Sequence, residues 1–141
     1  MVADLAARTA DLLSNLVPGR PDIFEELRSH YAPDLVFRDP IQEVHGIDAF
    51  LAMNARLLGR MKALDWRIHS AFGDEHTALI EWTMIGKPRF GPEVAVDGAT
   101  RVHARDGRVV DHRDYWDLSE LAASVVSFGE RVRHALLRPL A

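Results

Sequence analysis

In VVDHRDYWD, residues 109–117, His112 and Asp114 stand two positions apart, so an extended chain carries both on one side. A carboxylate beside an imidazole can take a proton from a substrate and return it, with the imidazole orienting the carboxylate or sharing the proton. A second carboxylate, Asp39, follows Phe37 at the same spacing in FRDP. If Phe37 faces a core, Asp39 points the same way and Arg38 points out. The other reading makes Asp39-Pro40 plain turn chemistry at a strand end.

Few other chemistries have their materials here. There is no cysteine, which removes disulfides, thiolate nucleophiles and zinc–thiolate sites and suits a reducing cytoplasm. The seven histidines are scattered, with no His-Glu-x-x-His and no helical i, i+4 pair, so neither metal nor cofactor is expected. GKPRFGP lacks the spacing and the following helix of a phosphate loop. A net charge of −4 with no basic face argues against a nucleic-acid partner. The start, MVADLAARTADLL, sets acids among apolar residues, unlike a signal peptide. No stretch is long enough to span a membrane, so no membrane partner is expected.

The elements that must position His112, Asp114 and Asp39 follow from periodicity. The 141 residues, 48% hydrophobic and 27% charged, suit one domain over 1–141 with a real core. Leu5, Leu12, Leu13 and Leu16 predict a helix over 3–16, stopped by Pro18-Gly19. RPDIFEELRSHYAPD restarts a helix with Ile23, Phe24, Leu27 and Tyr31 on its buried stripe, and Pro33-Asp34 turns the chain. LVFRD reads as a short strand ended by Pro40. GIDAFLAMNARLLGRM predicts a third helix with Phe50, Leu51, Asn54, Leu57, Leu58 and Met61 near one stripe.

The period then changes to two. LDWRIHSAF places Leu64, Trp66, Ile68, Ser70 and Phe72 on one side of a half-buried strand. HTALIEWTMIG, EVAVDGATRVHAR and the 109–117 stretch continue as hairpin-linked strands. DLSELAASVVSFGERVRHALL closes as a helix, with Asp117 as N-cap and Glu120 at capping-box spacing. Arg131, Arg133, His134 and Arg138 fall late in it, where they suit the helix dipole. Helices followed by hairpin-linked strands indicate α+β with an antiparallel sheet.

Asp106-Gly107 allows two registers for the last hairpin. A two-residue type I′ turn pairs Arg105 with Arg108; a type I turn with a glycine bulge pairs Ala104 with Arg108. The second separates apolar from charged and is preferred. Its inner face holds Val96, Gly98, Thr100, Val102, Ala104, Val110, His112, Asp114 and Trp116, and its outer face sets Arg101 opposite Asp111. His112 and Asp114 are then strongly polar residues on an apolar face. They form a structural pair, line a wet pocket, or hold a proton for use.

The order of elements, with YAPDLVFRDPIQEVHGIDAFLA and DGRVVDHRDYWDL, resembles the nuclear-transport-factor-2-like superfamily, and within it SnoaL-like and ketosteroid-isomerase-like proteins. The resemblance covers nearly the whole chain. It implies one SnoaL-like domain over 1–141: a curved antiparallel sheet wrapped by N-terminal helices into a cone-shaped half-barrel, a cystatin-like α+β roll, plus a C-terminal helix. It also implies an internal pocket and a homodimer.

By the same resemblance Asp39 matches the isomerase base, and Asp114 matches the acid/base aspartate of epoxide hydrolases and approximately that of polyketide cyclases. The isomerases' helical tyrosine has no counterpart, with Ser14 near its position, and Thr100 stands in place of their acidic donor. ALIEWTMIG lacks the hydrolases' Arg-x-Asp pair. His112 beside Asp114 fits the SnoaL-like pattern best.

The expected pocket wall is Phe37, Phe50, Met53, Trp66, Ile68, Ile80, Trp82, Thr100, Val102 and Trp116, with Asp39, His112 and Asp114 pointing in. One functional reading is an acid/base isomerase, cyclase or related lyase or hydrolase acting on a small, apolar, cyclic molecule. The alternative is a module of the same fold, ligand-binding or a dimeric adaptor, without chemistry.

Overall fold

The computed structural model describes residues 4–137. Helix α1 (Leu5–Ser14) starts where Asp4 accepts the amides of Ala6 and Ala7 at 3.0 and 3.3 Å. Its Leu5, Leu12 and Leu13 are buried. Helix α2 (Ile23–His30) stops one residue before Tyr31. Tyr31 is buried, but it opens strand β1 (Tyr31–Arg38) and does not extend the helix stripe. The reason is Pro33, whose ring clashes with a helical carbonyl four residues earlier and biases Ala32 toward extended backbone. Pro33-Asp34 lies inside β1, where the register with its neighbour shifts between Tyr31 and Val36, and is not a turn between elements.

A short strand β2 (Glu43–His45), not foreseen, pairs with β1. Gly46 follows at φ 88, and helix α3 (Ile47–Arg60) begins after it. Strands β3 (Met61–Gly73), β4 (Thr77–Pro88), β5 (Val94–Arg105) and β6 (Arg108–Trp116) form an antiparallel meander. The sheet order is β2-β1-β6-β5-β4-β3, with β1 and β6 parallel and every other pairing antiparallel. This is the expected α+β cone: a curved, unclosed sheet with α1, α2 and α3 on one face and α4 (Leu118–Leu137) at its end. The core between them includes Leu12, Ile23, Leu35, Phe50, Ile80 and Val109.

The last hairpin corrects the preferred register. Asp106 and Gly107 have φ of 53 and 78, and Arg105 pairs with Arg108, so the turn is the two-residue type I′ that matches strand twist. The bulge sits further on: Ala104 pairs with Val109 and His103 with Asp111, leaving Val110 as the extra residue. It restores the face parity that the tight turn would have reversed. His112 and Asp114 therefore share the inner face with Val102 and Thr100, which they directly oppose. Val109, not Val110, is the buried valine. Arg101 opposes Arg113 and reaches Asp111 diagonally at 2.7 Å.

A similar slip in β3, between Ile68 and Ser70, ends its alternation early and leaves Phe72 60% exposed. Asp117 caps α4 through the Ser119 amide at 2.8 Å. Glu120 does not close a capping box; its carboxylate accepts the Asp97 amide of β5 at 3.1 Å. Arg138 lies outside the described residues. Among the described residues no helix is long and apolar enough to cross a membrane.

Candidate active site

The inner face of β6 meets β1 and β5 at a continuous hydrogen-bonded chain. Tyr31 Oη lies 2.7 Å from His112 Nδ1, and His112 Nε2 lies 2.7 Å from Asp114 Oδ1. Thr100 Oγ1 donates to the same Oδ1 at 2.6 Å, and Trp82 Nε1 donates to Thr100 Oγ1 at 2.9 Å. The proton positions follow from what each group can do. An indole N–H only donates, so Thr100 accepts from Trp82 and turns its own proton to Asp114. Burial, then the negative charge of Asp114, pushes the Tyr31 phenol far up, so it keeps its proton and donates to Nδ1. His112 then carries its proton on Nε2 and donates to Asp114.

Asp114 Oδ1 thus takes two donors. Among the described residues no donor lies within hydrogen-bond distance of Oδ2. The Asp114 side chain is 17% exposed and the His112 side chain only 3%. His112 is enclosed by the rings of Tyr31, Phe37 and Phe50 at centroid distances of 5.7, 5.0 and 5.9 Å. The ring fixes the carboxylate from behind, and the carboxylate faces the open space.

That space is a cavity of about 460 Å³ between α1, α3 and the sheet. Of the expected wall, Phe37, Phe50, Met53, Trp66, Trp82 and Trp116 line it. Ile80, Thr100 and Val102 do not; they are fully buried, and Thr100 lies behind Asp114. Ile68 also lies outside the wall. Trp66 meets Trp82 edge-on at 5.1 Å and ties β3 to the segment after α1 through the Leu16 carbonyl. A Cβ at Gly98 would overlap the Trp82 ring, so this glycine is what lets the indole lie flat over β5 toward Thr100.

Asp39 borders the cavity with Asp114, but its oxygens serve the turn after β1. Oδ1 accepts the amides of Ile41 and Gln42 at 2.8 and 3.0 Å, and Oδ2 accepts the Gln42 side chain at 3.1 Å. The turn-chemistry reading describes it. Tyr31, Arg56 and Arg60 were not foreseen at the site. The burial of Tyr31 was legible, but its placement on a helix hid its alignment with His112. Among the described residues no cluster of three or more His, Asp or Glu has metal-binding geometry.

A family model described as a SnoaL-like domain matches residues 19–112. The matched segment ends two residues short of Asp114. The chain is similar in structure to an epoxide hydrolase of the limonene-epoxide-hydrolase-like type from M. tuberculosis, at 18% identity and a TM-score of 0.72 over 95% of this chain and 96% of that one. A hypothetical protein with a ketosteroid isomerase-like fold from Catenulispora acidiphila, solved with trimethylamine, matches at 20% identity and 0.71 over 89% and 94%. A nuclear-transport-factor-2-like protein of unknown function from Exiguobacterium matches at 22% identity and 0.69 over 82% and 99%. No curated protein matches the chain.

Proposed function

The chain belongs to the SnoaL-like domain family, and we propose that it is a cofactor-independent acid/base enzyme: an isomerase, cyclase or related lyase or hydrolase. The observation that carries this is the asymmetry of Asp114. Its Oδ1 is held by Thr100 and His112, while Oδ2 is left to the cavity. In the proposed step Oδ2 takes a proton from an acidic C–H of the substrate, or from water attacking it, and returns that proton at a second atom. His112, Thr100 and Tyr31 are positioning residues that hold the carboxylate plane. The aromatic wall of Phe37, Phe50, Trp66, Trp82 and Trp116 suits a small, apolar, cyclic molecule.

The binding-only reading draws on one fact. Asp39 is spent on its turn, so among the described residues the cavity offers one free carboxylate oxygen, that of Asp114, beside the largely buried His112 ring. Proton NMR in D₂O over a panel of cyclic ketones and cyclic epoxides, with and without a carboxylate group, separates the two. Deuterium incorporation or ring opening is expected with the wild type, and Asp114→Asn should lower it by about 10²–10⁴-fold. Asp39→Asn should retain it, since asparagine also suits such turns. A wild type inert across the panel, with unchanged apolar-ligand affinity in Asp114→Asn, would establish the binding reading.

The dimer implied by the resemblance has a candidate surface in α4. No α4 residue is buried, and Leu118, Val125 and Val132 recur every seven residues at 49, 54 and 41% exposure, with Leu121 and Phe128 between them. The helix is acidic at its start (Asp117, Glu120) and basic toward its end (Arg131, Arg133, His134). Antiparallel pairing with α4 of a second copy sets acid against base and Val125 against Phe128.

A further inference from the structure

α3 carries two cations to the cavity that the acid/base reading does not use. Phe50, Met53, Asn54 and Leu57 line the cavity, and Arg56 and Arg60, one turn apart, line it beside them. Neither guanidinium forms an ion pair among the described residues, whereas Arg20, Arg28, Arg38, Arg101 and Arg105 each hold a carboxylate within 3.3 Å. Asn54 stands between the two regions. It is 5% exposed and spends Nδ2 on the Phe50 carbonyl at 2.9 Å, while its Oδ1 accepts from no described residue.

Position along the helix separates these cations from Phe50. Phe50 packs on the His112 ring at 5.9 Å. At 1.5 Å per residue, Arg56 and Arg60 lie about 9 and about 15 Å further along the α3 axis. The cavity therefore combines the carboxylate of Asp114 with two guanidiniums that have no ion pair among the described residues, set among aromatic walls. A guanidinium fork matches the paired oxygens of an organic anion.

We propose that the ligand is an apolar, ring-containing organic anion, its acid group held by Arg56 and Arg60 while its ring system reaches Asp114. This rests on the cavity reading above and names the substrate class for it. A neutral hydrocarbon would leave both cations unused, and an amine would meet them at like charge.

Two dyes that differ in one charge test this: 8-anilinonaphthalene-1-sulfonate and its neutral counterpart N-phenyl-1-naphthylamine. Each is titrated by fluorescence, with mutual displacement and shifts of the Asn54 side-chain amide signals confirming a shared site in the cavity. The wild type should bind the anionic dye more tightly, with a preference that shrinks as salt rises. Arg56→Gln/Arg60→Gln should lower the anionic dye's affinity by about tenfold or more and leave the neutral dye's unchanged. Equal loss of both dyes, or no loss of the anionic one, overturns the anion assignment while leaving the cavity reading in place. If neither dye perturbs Asn54, the cavity reading fails and the anion assignment falls with it.

Discussion

The indole N–H of Trp82 reaches Thr100 Oγ1 at 2.9 Å, and this contact sets the direction of the threonine's own proton. With its acceptor side occupied, Thr100 gives its hydrogen to Asp114 Oδ1 at 2.6 Å. A residue on β4 that never touches the carboxylate thereby fixes which of its oxygens is free.

Thr100→Val keeps the shape and removes both bonds. It leaves the Trp82 N–H buried without its partner, a cost of about 1–3 kcal/mol. Urea unfolding should show that loss. Activity on any substrate found for the wild type should fall through kcat, because the carboxylate loses its orientation. A variant as stable as the wild type would show that the Trp82–Thr100 bond carries no weight.

Gly98→Ala should act on the same indole from the other side. Gly98 pairs with Trp82 on β4 and with Trp116 on β6, and the Trp82 ring occupies the space of its missing side chain. Forcing a methyl there costs about 1–3 kcal/mol and moves the ring. Lower thermal stability and altered tryptophan emission are expected; an unchanged spectrum would contradict the packing.

His30 supplies a pH dependence of known sign. It is fully buried, its Nε2 meets Thr9 Oγ1 at 2.9 Å, and its Nδ1 has no partner among the described residues. Burial first, then the charges of Arg8 and His112, lowers its pKa from 6.5 to about 4. Above pH 6.5 the ring is neutral both folded and unfolded, so stability does not depend on it. As pH falls from 6.5 toward 4 the unfolded chain binds a proton that the folded one refuses. Stability then declines, by roughly 3 kcal/mol in full. Unfolding free energies at pH 7 and pH 4.5 should show the decline, and His30→Gln should remove that share of it.

For α4, sedimentation should give a dimer for the wild type and a monomer for Val125→Glu/Val132→Glu with an unchanged circular dichroism spectrum. A wild type monomeric at the highest concentrations reached would remove α4 as an interface.

Much of this arrangement is readable along the chain because it is local. Periods of two and 3.6 mark the strands and helices, Asp106-Gly107 marks the hairpin, and the alternation of charge around His112 and Asp114 shows that both face inward. Which residues they oppose is not local. A bulge at Val110 and another at His69 cost one local pairing each and are set by what the neighbouring strands can bury. Pattern counting therefore found the correct inner face through the wrong turn.

Tyr31 shows the same division. Its burial follows from its type and its neighbours, but helix or strand was decided by Pro33 and by the place waiting beside Val109 on β6. Composition and spacing sufficed for an α+β fold, an apolar interior and a carboxylate held within it. Only the folded sheet, by bringing residues 81 and 14 positions apart into hydrogen-bond contact, decided that Tyr31 and Thr100 bind the His112–Asp114 pair from behind. The same closure set Asp114 at the cavity wall with Oδ2 lacking a partner among the described residues, because side-chain direction in a curved sheet depends on every register around it.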